Sequence, residues 1–149
     1  MRVVVQRVHK ASILIDEQVY SSIDKGLVVF LGIEKNDSDA DINYLADKIV
    51  NLRIFEDLEG KMNRSVLNVK GEILIVSQFT LMGDCRKGRR PSFFRAETPQ
   101  ISKEIYDRFI KKVKEKVHHA STGKFQAMMN IEMVNNGPVT IMLDSRKAF

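Results

Sequence analysis

Six short apolar segments recur from the first residues of the chain to the last, and their recurrence constrains the fold more than any other feature. They are rich in Val, Ile, Leu and Met, a composition that predicts β-strands. The segments are residues 1–8, 12–20, 27–33, 72–81, 128–134 and 139–144. Residues 27–31 are continuously apolar, which predicts a central strand covered on both faces. A sheet is therefore expected to form the body of the protein.

Two other segments show helical spacing. Ser38 and Asp41 form a capping box that predicts the start of a first helix. Thr98 is the predicted cap of a second helix, with Pro99 at its first position, where a missing N–H does no harm. Apolar residues then recur at three- and four-residue steps in both segments. These residues are Ile42, Leu45, Ile49 and Leu52 in the first, and Ile101, Ile105, Phe109 and Val113 in the second.

The order of strands and helices predicts the architecture. No repeat, low-complexity tract or linker interrupts the pattern, so residues 1–149 are predicted to form a single domain. Short turns such as residues 24–26 join consecutive strands, unlike the regular strand–helix alternation of a doubly wound fold. We predict an α+β fold in which a mostly antiparallel, barrel-like sheet packs against two helices.

Composition limits the function classes. A chain of 149 residues buries roughly 68–70% of its unfolded surface, so it needs no disulfide or structural metal to fold. One Cys and three His are too few for a disulfide framework, a zinc finger or an iron–sulfur site, and we expect no metal and no cofactor. The first apolar run is too short for a signal peptide, and no stretch approaches the ~20 apolar residues of a membrane span. We therefore expect a cytoplasmic protein with no membrane partner.

An excess of basic residues suits a polyanionic partner. The formal net charge is +5 and the isoelectric point is near 9.4. Residues 86–95 combine cations with the adjacent aromatic residues Phe93 and Phe94, so that phosphates would find charge and bases would find stacking partners. The cations predicted to bind nucleic acid are Arg86, Lys87, Arg89 and Arg90. The alternative is a solvated charged surface.

Polar side chains follow the apolar strand at residues 72–76. Ser77, Gln78, Phe79 and Thr80 place hydroxyl and amide groups around one aromatic ring. Backbone N–H groups at the point where strand pairing ends are able to face a developing oxyanion. The segment therefore predicts a candidate catalytic site. The alternative is that Ser77 and Thr80 only satisfy buried backbone groups.

Residues 135–140 lie between two predicted strands and contain the residues that a tight turn requires. Two of them permit a further role. Pro138 takes the cis form at a cost of about 0.5–1 kcal/mol, and Gly137 has no Cβ to keep its carbonyl away from a ligand. A plain turn and a ligand-facing turn both remain open.

Four segments taken together resemble the D-aminoacyl-tRNA deacylase family. They are residues 1–8, 77–81, 86–93 and 135–140, which match in order and span the whole chain. The resemblance implies hydrolysis of the ester between a D-amino acid and the terminal ribose of tRNA, and of glycine mischarged on tRNA-Ala. It also implies a homodimer with a site at each subunit interface.

The resemblance implies roles for individual residues. Residues 77–80 hold the terminal adenosine and the scissile ester. Gly137 and Pro138 form a cis pair that enters the partner's pocket and excludes L side chains. Arg7 supports this pair, and Met129 falls where the family places a pocket side chain. Each role is an expectation that comes from the family.

The resemblance also accounts for the lack of an evident triad. An aminoacyl ester is activated, and the neighbouring 2′-hydroxyl can assist the attack, so that orientation and oxyanion donors suffice. Thr80 as a covalent nucleophile is an alternative, although it needs a base that the sequence does not identify. A basic RNA-binding module without catalysis is another. The chain departs from the family at Asn136, where Asp is frequent, and at Cys85, where threonine is usual.

Overall fold

The computed structural model describes residues 1–149, and a six-stranded sheet dominates it. The strands of this sheet are β1 (Arg2–Ile15), β2 (Gln18–Ile23), β3 (Gly26–Gly32), β6 (Glu72–Ser77), β7 (Ala120–Thr122) and β8 (Asn130–Asp144). The short strands β4 (Phe55–Glu56) and β5 (Met62–Arg64) form a separate pair. The helices are α1 (Asp39–Asn51), α2 (Pro99–Lys114) and a 3₁₀ helix at Phe79–Met82. No helix is long and apolar enough to cross a membrane.

The sheet is mixed, so the prediction of a mostly antiparallel sheet was wrong. Strand β1 pairs antiparallel with β2, β3 and β8, whereas β3 pairs parallel with β6, and β6 pairs parallel with β7. The two helices cause the difference. The chain passes through α1 between β3 and β6 and through α2 between β6 and β7, and each crossover returns it to start the next strand in the same direction.

The barrel-like curvature that the sequence predicted is confirmed. The strand order is β2-β1-β3-β6-β7, and side chains link the two outer strands of this order. Ser21 Oγ donates to the Thr122 carbonyl at 2.9 Å, and Ser121 Oγ donates to the Ser22 carbonyl at 3.2 Å. These bonds nearly close the sheet on itself. Strand β8 lies outside this ring and pairs only with β1.

Two strands are longer than predicted. The predicted segments 1–8 and 12–20 are replaced by the continuous β1 and the shorter β2. The predicted segments 128–134 and 139–144 are replaced by one strand, β8, which begins at Asn130. Strands β1 and β8 pair along almost their whole length, and register shifts near Val8 absorb the irregular residues. The predicted strand at 72–81 ends at Ser77, where the chain turns into the 3₁₀ helix.

Both helices pack their apolar faces on one side of the sheet and share its main core. The capping box is confirmed, because the Asp41 carboxylate accepts the Ser38 N–H at 2.8 Å. In α2, Pro99 is the first residue as predicted, and Thr98 precedes it without a side-chain capping bond. Ile101 lies in the first turn, before the helix reaches the core, and its side chain is exposed. The prediction that Ile101 belongs to the core-facing apolar stripe of this helix was therefore wrong.

Candidate active site

The predicted catalytic segment lies at the exposed end of β6. Ser77 is the last residue of β6 to pair with β3, opposite Leu31, and the Gln78 N–H donates to the Leu31 carbonyl at 2.8 Å. The 3₁₀ helix then begins, and its first backbone donor is the Leu81 N–H, which binds the Gln78 carbonyl. The N–H groups of Phe79 and Thr80 precede that donor, and N–H groups at the start of a helix have no partner within it.

Close packing fixes the 3₁₀ helix against the end of β3. A Cβ added at Gly32 would lie 2.8 Å from Met82 Cε, 2.9 Å from Leu81 Cβ and 3.1 Å from the Gln78 carbonyl oxygen. Only glycine leaves enough space for this approach. Arg2 adds a second constraint, because its Nη1 donates to the Leu81 carbonyl at 3.0 Å. The backbone of the predicted site is therefore held by two separate contacts.

The side chains of this segment point partly to solvent. Gln78 Nε2 donates to Thr80 Oγ1, which orients the hydroxyl. The Phe79 ring is 56% exposed and meets the Phe93 ring edge-on, with 5.0 Å between centroids. Phe93 belongs to the basic segment, so the fold brings two separately predicted segments together. The exposed rings and hydroxyl suit contact with a nucleoside.

The second predicted motif lies within β8 instead of a free turn. The peptide bond between Gly137 and Pro138 is cis, and Gly137 has a φ of 122°. Both residues are exposed, and their neighbour Val139 is buried. A Cβ at Gly137 would lie 2.8 Å from Val139 Cγ2 and 3.0 Å from Arg7 Nη2. The position therefore requires glycine on grounds of both conformation and space.

Arg7 is the buried cation behind this motif. Its side chain is 3% exposed, and its Nε donates to the Asn136 carbonyl at 3.2 Å. Its Nη1 donates to the Ile54 carbonyl at 2.6 Å and to Glu56 Oε1 at 2.8 Å. A backbone hydrogen bond and the Arg7 guanidinium lower the pKa of the Glu56 carboxyl. The sequence did not identify Ile54 and Glu56 as partners of Arg7, because they come from a distant segment of the chain.

The half-buried Met129 packs near Gly123. A Cβ at Gly123 would lie 3.0 Å from Met129 Sδ, and the side chain packs on a small core that includes Ile13. Within one chain, no hydrogen bond joins residues 77–80 to residues 137–138. The structure therefore shows two separate groups of predicted residues, one at the end of β6 and one in β8.

The basic segment forms a loop closed by a two-residue bridge. Asp84 and Ser92 exchange backbone hydrogen bonds of 2.8 and 3.0 Å. Arg86 donates to both oxygens of Asp84, at 2.9 and 2.6 Å, and this contact holds the pKa of the Asp84 carboxyl well below its usual range. The other predicted cations are exposed and form no ion pair within the chain. They are Lys87, Arg89 and Arg90. No cluster of three or more His, Cys, Asp or Glu is placed to hold a metal ion.

A family model for D-Tyr-tRNA(Tyr) deacylase matches residues 4–144 of the chain. The chain belongs to the D-aminoacyl-tRNA deacylase family. It is therefore an enzyme of the hydrolase class, as the sequence predicted. D-aminoacyl-tRNA deacylases from Syntrophus aciditrophicus and Petrotoga mobilis are 55% and 56% identical to it, and each alignment covers 100% of both chains.

A solved structure shares the fold. The c-Myc DNA Unwinding Element Binding Protein superposes with a TM-score of 0.93 at 38% sequence identity, over 97% of this chain and 98% of that one. The mixed barrel with two helices is therefore an architecture that a solved structure also contains.

The departure from the family at Asn136 has a visible structural context. Its backbone carbonyl and its Oδ1 both accept from Arg7, at 3.2 and 3.4 Å. Asn136 thus offers the guanidinium an amide oxygen rather than a carboxylate. Glu56 already supplies a carboxylate to the same guanidinium, so the buried charge of Arg7 is compensated without Asp at position 136.

Proposed function

We propose that the chain hydrolyses the ester that joins a D-amino acid to the terminal ribose of tRNA, and also the ester of glycine mischarged on tRNA-Ala. The observation that carries the proposal is the polar segment at residues 77–80, fixed at the exposed end of β6 in a chain that belongs to a deacylase family. The rings of Phe79 and Phe93 offer a surface for the terminal adenosine. Because charged tRNA is a cytoplasmic substrate, the proposal places the enzyme in the cytoplasm.

The proposed chemistry needs no general base from the protein. Water attacks the ester carbonyl carbon, the 2′-hydroxyl of the substrate assists the proton transfer, and the 3′-oxygen leaves with a proton. The backbone N–H groups of Phe79 and Thr80 are proposed to stabilise the developing oxyanion, since they precede the first donor of the 3₁₀ helix. Orientation of an already activated ester supplies the rest of the rate enhancement.

Gly137 and Pro138 are proposed to exclude L side chains by occupying the space that those side chains would need. Two observations support the proposal. Both residues are exposed, so their carbonyls are available to a pocket. Arg7 fixes the preceding carbonyl of Asn136, which leaves the motif little freedom to move away. A filter made of backbone cannot adopt another rotamer to admit the wrong enantiomer. Met129 is proposed to line the same pocket.

The proposed active unit is a homodimer in which Gly137 and Pro138 reach the partner's pocket. The outer edge of β8 has no strand beside it, although the strand is 15 residues long. Val134 is 44% exposed and Met142 is 56% exposed on this strand. A long unpaired edge with apolar side chains is a surface that a second copy of the chain would cover.

Deacylation of one tRNA charged with the D or the L form of the same amino acid tests the proposed function. We expect the purified chain to release the D-amino acid and to spare the L form. Binding of both tRNAs without release of either amino acid would instead identify a basic RNA-binding module. Release of both amino acids at equal rates would remove the proposed role of Gly137 and Pro138.

Mixing two inactive variants tests the shared site. Gly32→Ala displaces the segment at the end of β6, and Gly137→Ala alters the motif proposed to enter the partner. If the motif acts on the partner, a one-to-one mixture with exchanged subunits regains about a quarter of the wild-type sites, because each mixed dimer holds one intact site. If the motif acts within its own chain, the mixture stays as inactive as the two variants alone.

A further inference from the structure

A cavity of about 410 Å³ opens at the far end of the 3₁₀ helix, beyond the residues assigned to the active site. It is lined by Arg2, Met82, Gly83, Asp84, Cys85, Arg86 and Arg95. Three guanidinium groups thus share the cavity wall with one carboxylate. Two of them also pair with buried carboxylates outside the lining, Arg2 with Asp144 and Arg95 with Glu34. Neither Arg2 nor Arg95 has a role in the proposed chemistry.

Arg2 is a fixed part of the wall. Its Nε and Nη2 donate to Asp144 Oδ2 at 3.3 Å, and its Nη1 donates to the Leu81 carbonyl at 3.0 Å. These contacts hold the guanidinium in one place beside the cavity. A fixed guanidinium loses less freedom when it binds an anion than a mobile surface cation does.

Arg86 and Arg95 each keep unused donors. Arg86 binds Asp84 through Nε and Nη2, and Arg95 binds Glu34 through Nε and Nη2. The Nη1 group of each has no partner within the chain, and each Nη1 carries two N–H donors. Paired guanidinium donors match the oxygens of a phosphate group, which is why arginine is frequent at phosphate sites.

We propose that this cavity binds a phosphate of the unpaired 3′ strand of tRNA, close to the terminal adenosine. The proposal rests on the proposed function. Two features favour a strand over a free anion. The cavity begins at Met82, the last residue of the 3₁₀ helix that starts at Phe79. On its other wall, Arg95 follows Phe94, whose ring is 81% exposed and is suited to stack with a base.

The size of the cavity is consistent with this occupant. Small-molecule sites typically have volumes of about 300–1,000 Å³, so the cavity has room for a phosphate and part of its sugar. Asp84 is the one group on the wall that opposes an anion, and its side chain is 32% exposed. An incoming phosphate would compete with Asp84 for Arg86, which predicts that neutralising Asp84 strengthens binding.

Cys85 offers a direct readout of occupancy, because it is exposed on the cavity wall and is the single Cys of the chain. The experiment measures the rate at which the uncharged reagent iodoacetamide alkylates Cys85. We expect a trinucleotide of sequence CCA to slow the reaction several-fold, and adenosine at the same concentration to leave it unchanged. Equal protection by inorganic phosphate would show a free-anion site, and no protection by CCA would show no site. Either result overturns the proposal.

Charge variants give the second arm of the test. We expect Arg95→Gln and Arg86→Gln each to weaken CCA binding about tenfold and to lower its salt slope by roughly 0.7. Asp84→Asn should strengthen binding, an effect of opposite sign that a damaged fold would not produce. Arg64→Gln is the matched control, since Arg64 is exposed and its side chain donates only to the Asn68 carbonyl. Unchanged CCA binding in Arg95→Gln, Arg86→Gln and Asp84→Asn would overturn the proposal.

The alkylation of Cys85 and the CCA titrations test the cavity proposal independently of the proposed function, since neither measurement requires turnover. If CCA protects Cys85 of the wild-type chain from alkylation but the chain hydrolyses no D-aminoacyl-tRNA, the proposed function alone is contradicted. A wild-type chain that hydrolyses D-aminoacyl-tRNA without any protection of Cys85 would contradict the cavity proposal alone.

Discussion

Arg7 Nε donates to the Asn136 carbonyl at 3.2 Å, and this bond connects a buried cation in β1 to the residue before Gly137. The same guanidinium holds the Ile54 carbonyl and the Glu56 carboxylate. Four acceptors on two segments therefore depend on the planar fork of one side chain, including the longer contact to Asn136 Oδ1. A compact ammonium has neither the reach nor the geometry to replace it.

We predict that Arg7→Lys lowers the free energy of unfolding by about 1–3 kcal/mol, because buried acceptors lose their donors. Discrimination between D- and L-aminoacyl-tRNA should fall as well, since the motif at Gly137 loses its support. Urea unfolding measures the first effect, and paired deacylation assays measure the second. Arg53→Lys is the control, because Arg53 is exposed. A folded Arg7→Lys enzyme with wild-type selectivity would contradict the role assigned to Arg7.

Local signals made part of this structure predictable. The capping box between Ser38 and Asp41 depends on residues three apart, and the sequence alone identified it. The polar segment at 77–80 was found because its residue types change abruptly after an apolar strand. In both cases the chemistry lies within one short stretch of chain.

Long-range relationships were not predictable in the same way. Strand direction depends on where the helical crossovers return the chain. The continuous apolar run of β3 predicted burial on both faces but was not used to predict a parallel partner. The contact from Arg7 to Ile54 spans 47 residues and involves a backbone carbonyl, which every residue type carries. Composition and periodicity hold no information about such a partner.

Gly32→Ala should damage activity more than stability. The added Cβ would push against Met82 Cε and Leu81 Cβ, and would displace the 3₁₀ helix that presents Phe79 and Thr80. A misplacement of about 1 Å at a reacting centre can cost about 10²-fold in rate. The measurement is the deacylation rate beside the thermal midpoint of the same variant.

A second glycine provides the control for this test. A Cβ at Gly71 would lie 3.0 Å from Val66 Cγ2 and 3.1 Å from the Lys25 carbonyl, in surroundings almost as tight but away from the site. Gly71→Ala should therefore lose stability and keep the turnover of its folded fraction. Equal losses of turnover in the two variants would show that the effect of Gly32→Ala is not local to the 3₁₀ helix.

The Asp41 cap predicts a pH-dependent stability. Partial burial would raise the pKa of Asp41, but hydrogen bonds from Ser145 and Ser38 outweigh it and lower the pKa from 3.8 to about 2. A carboxyl with a lowered pKa in the folded state stabilises the protein fully above its unfolded pKa and loses that effect as pH falls through the folded pKa. Asp41→Asn, which removes a negative charge near the N-terminus of α1, should therefore cost about 0.3–1 kcal/mol at neutral pH.

The cost of Asp41→Asn should shrink as the pH falls from 3.8 to about 2, where the wild-type carboxyl becomes protonated. Urea unfolding of both proteins across this range measures the difference. Asp24→Asn is the control, since Asp24 is exposed and its side chain caps no helix. A difference that stays constant over the whole range would mean that the charge of Asp41 does not contribute.

The unpaired cations of the basic loop should contact tRNA phosphates. Arg89→Ala or Arg90→Ala is expected to weaken tRNA binding similarly for all tRNAs, and to lower the salt slope by roughly 0.7–0.9 for each lost contact. Titrations at several salt concentrations measure both quantities, with Arg64→Ala as the control. An unchanged salt slope would instead show that these residues belong to a solvated charged surface that does not contact phosphates.

The last prediction separates substrate assistance from covalent catalysis by Thr80. The Thr80 hydroxyl is exposed and accepts a hydrogen bond from Gln78 Nε2, and the structure shows no base beside it. Removal of one well-placed oxyanion donor costs about 10²–10³ in rate, and loss of a side chain outside the chemical step should cost less. Thr80→Ala should therefore keep substantial activity, and Thr80→Ser should remain closer to wild type.

A tRNA that ends in 2′-deoxyadenosine should be a very poor substrate for the wild type and for both Thr80 variants, because the assisting hydroxyl is missing. Full turnover of the deoxy substrate, or an acyl group trapped on Thr80, would reverse the choice of mechanism.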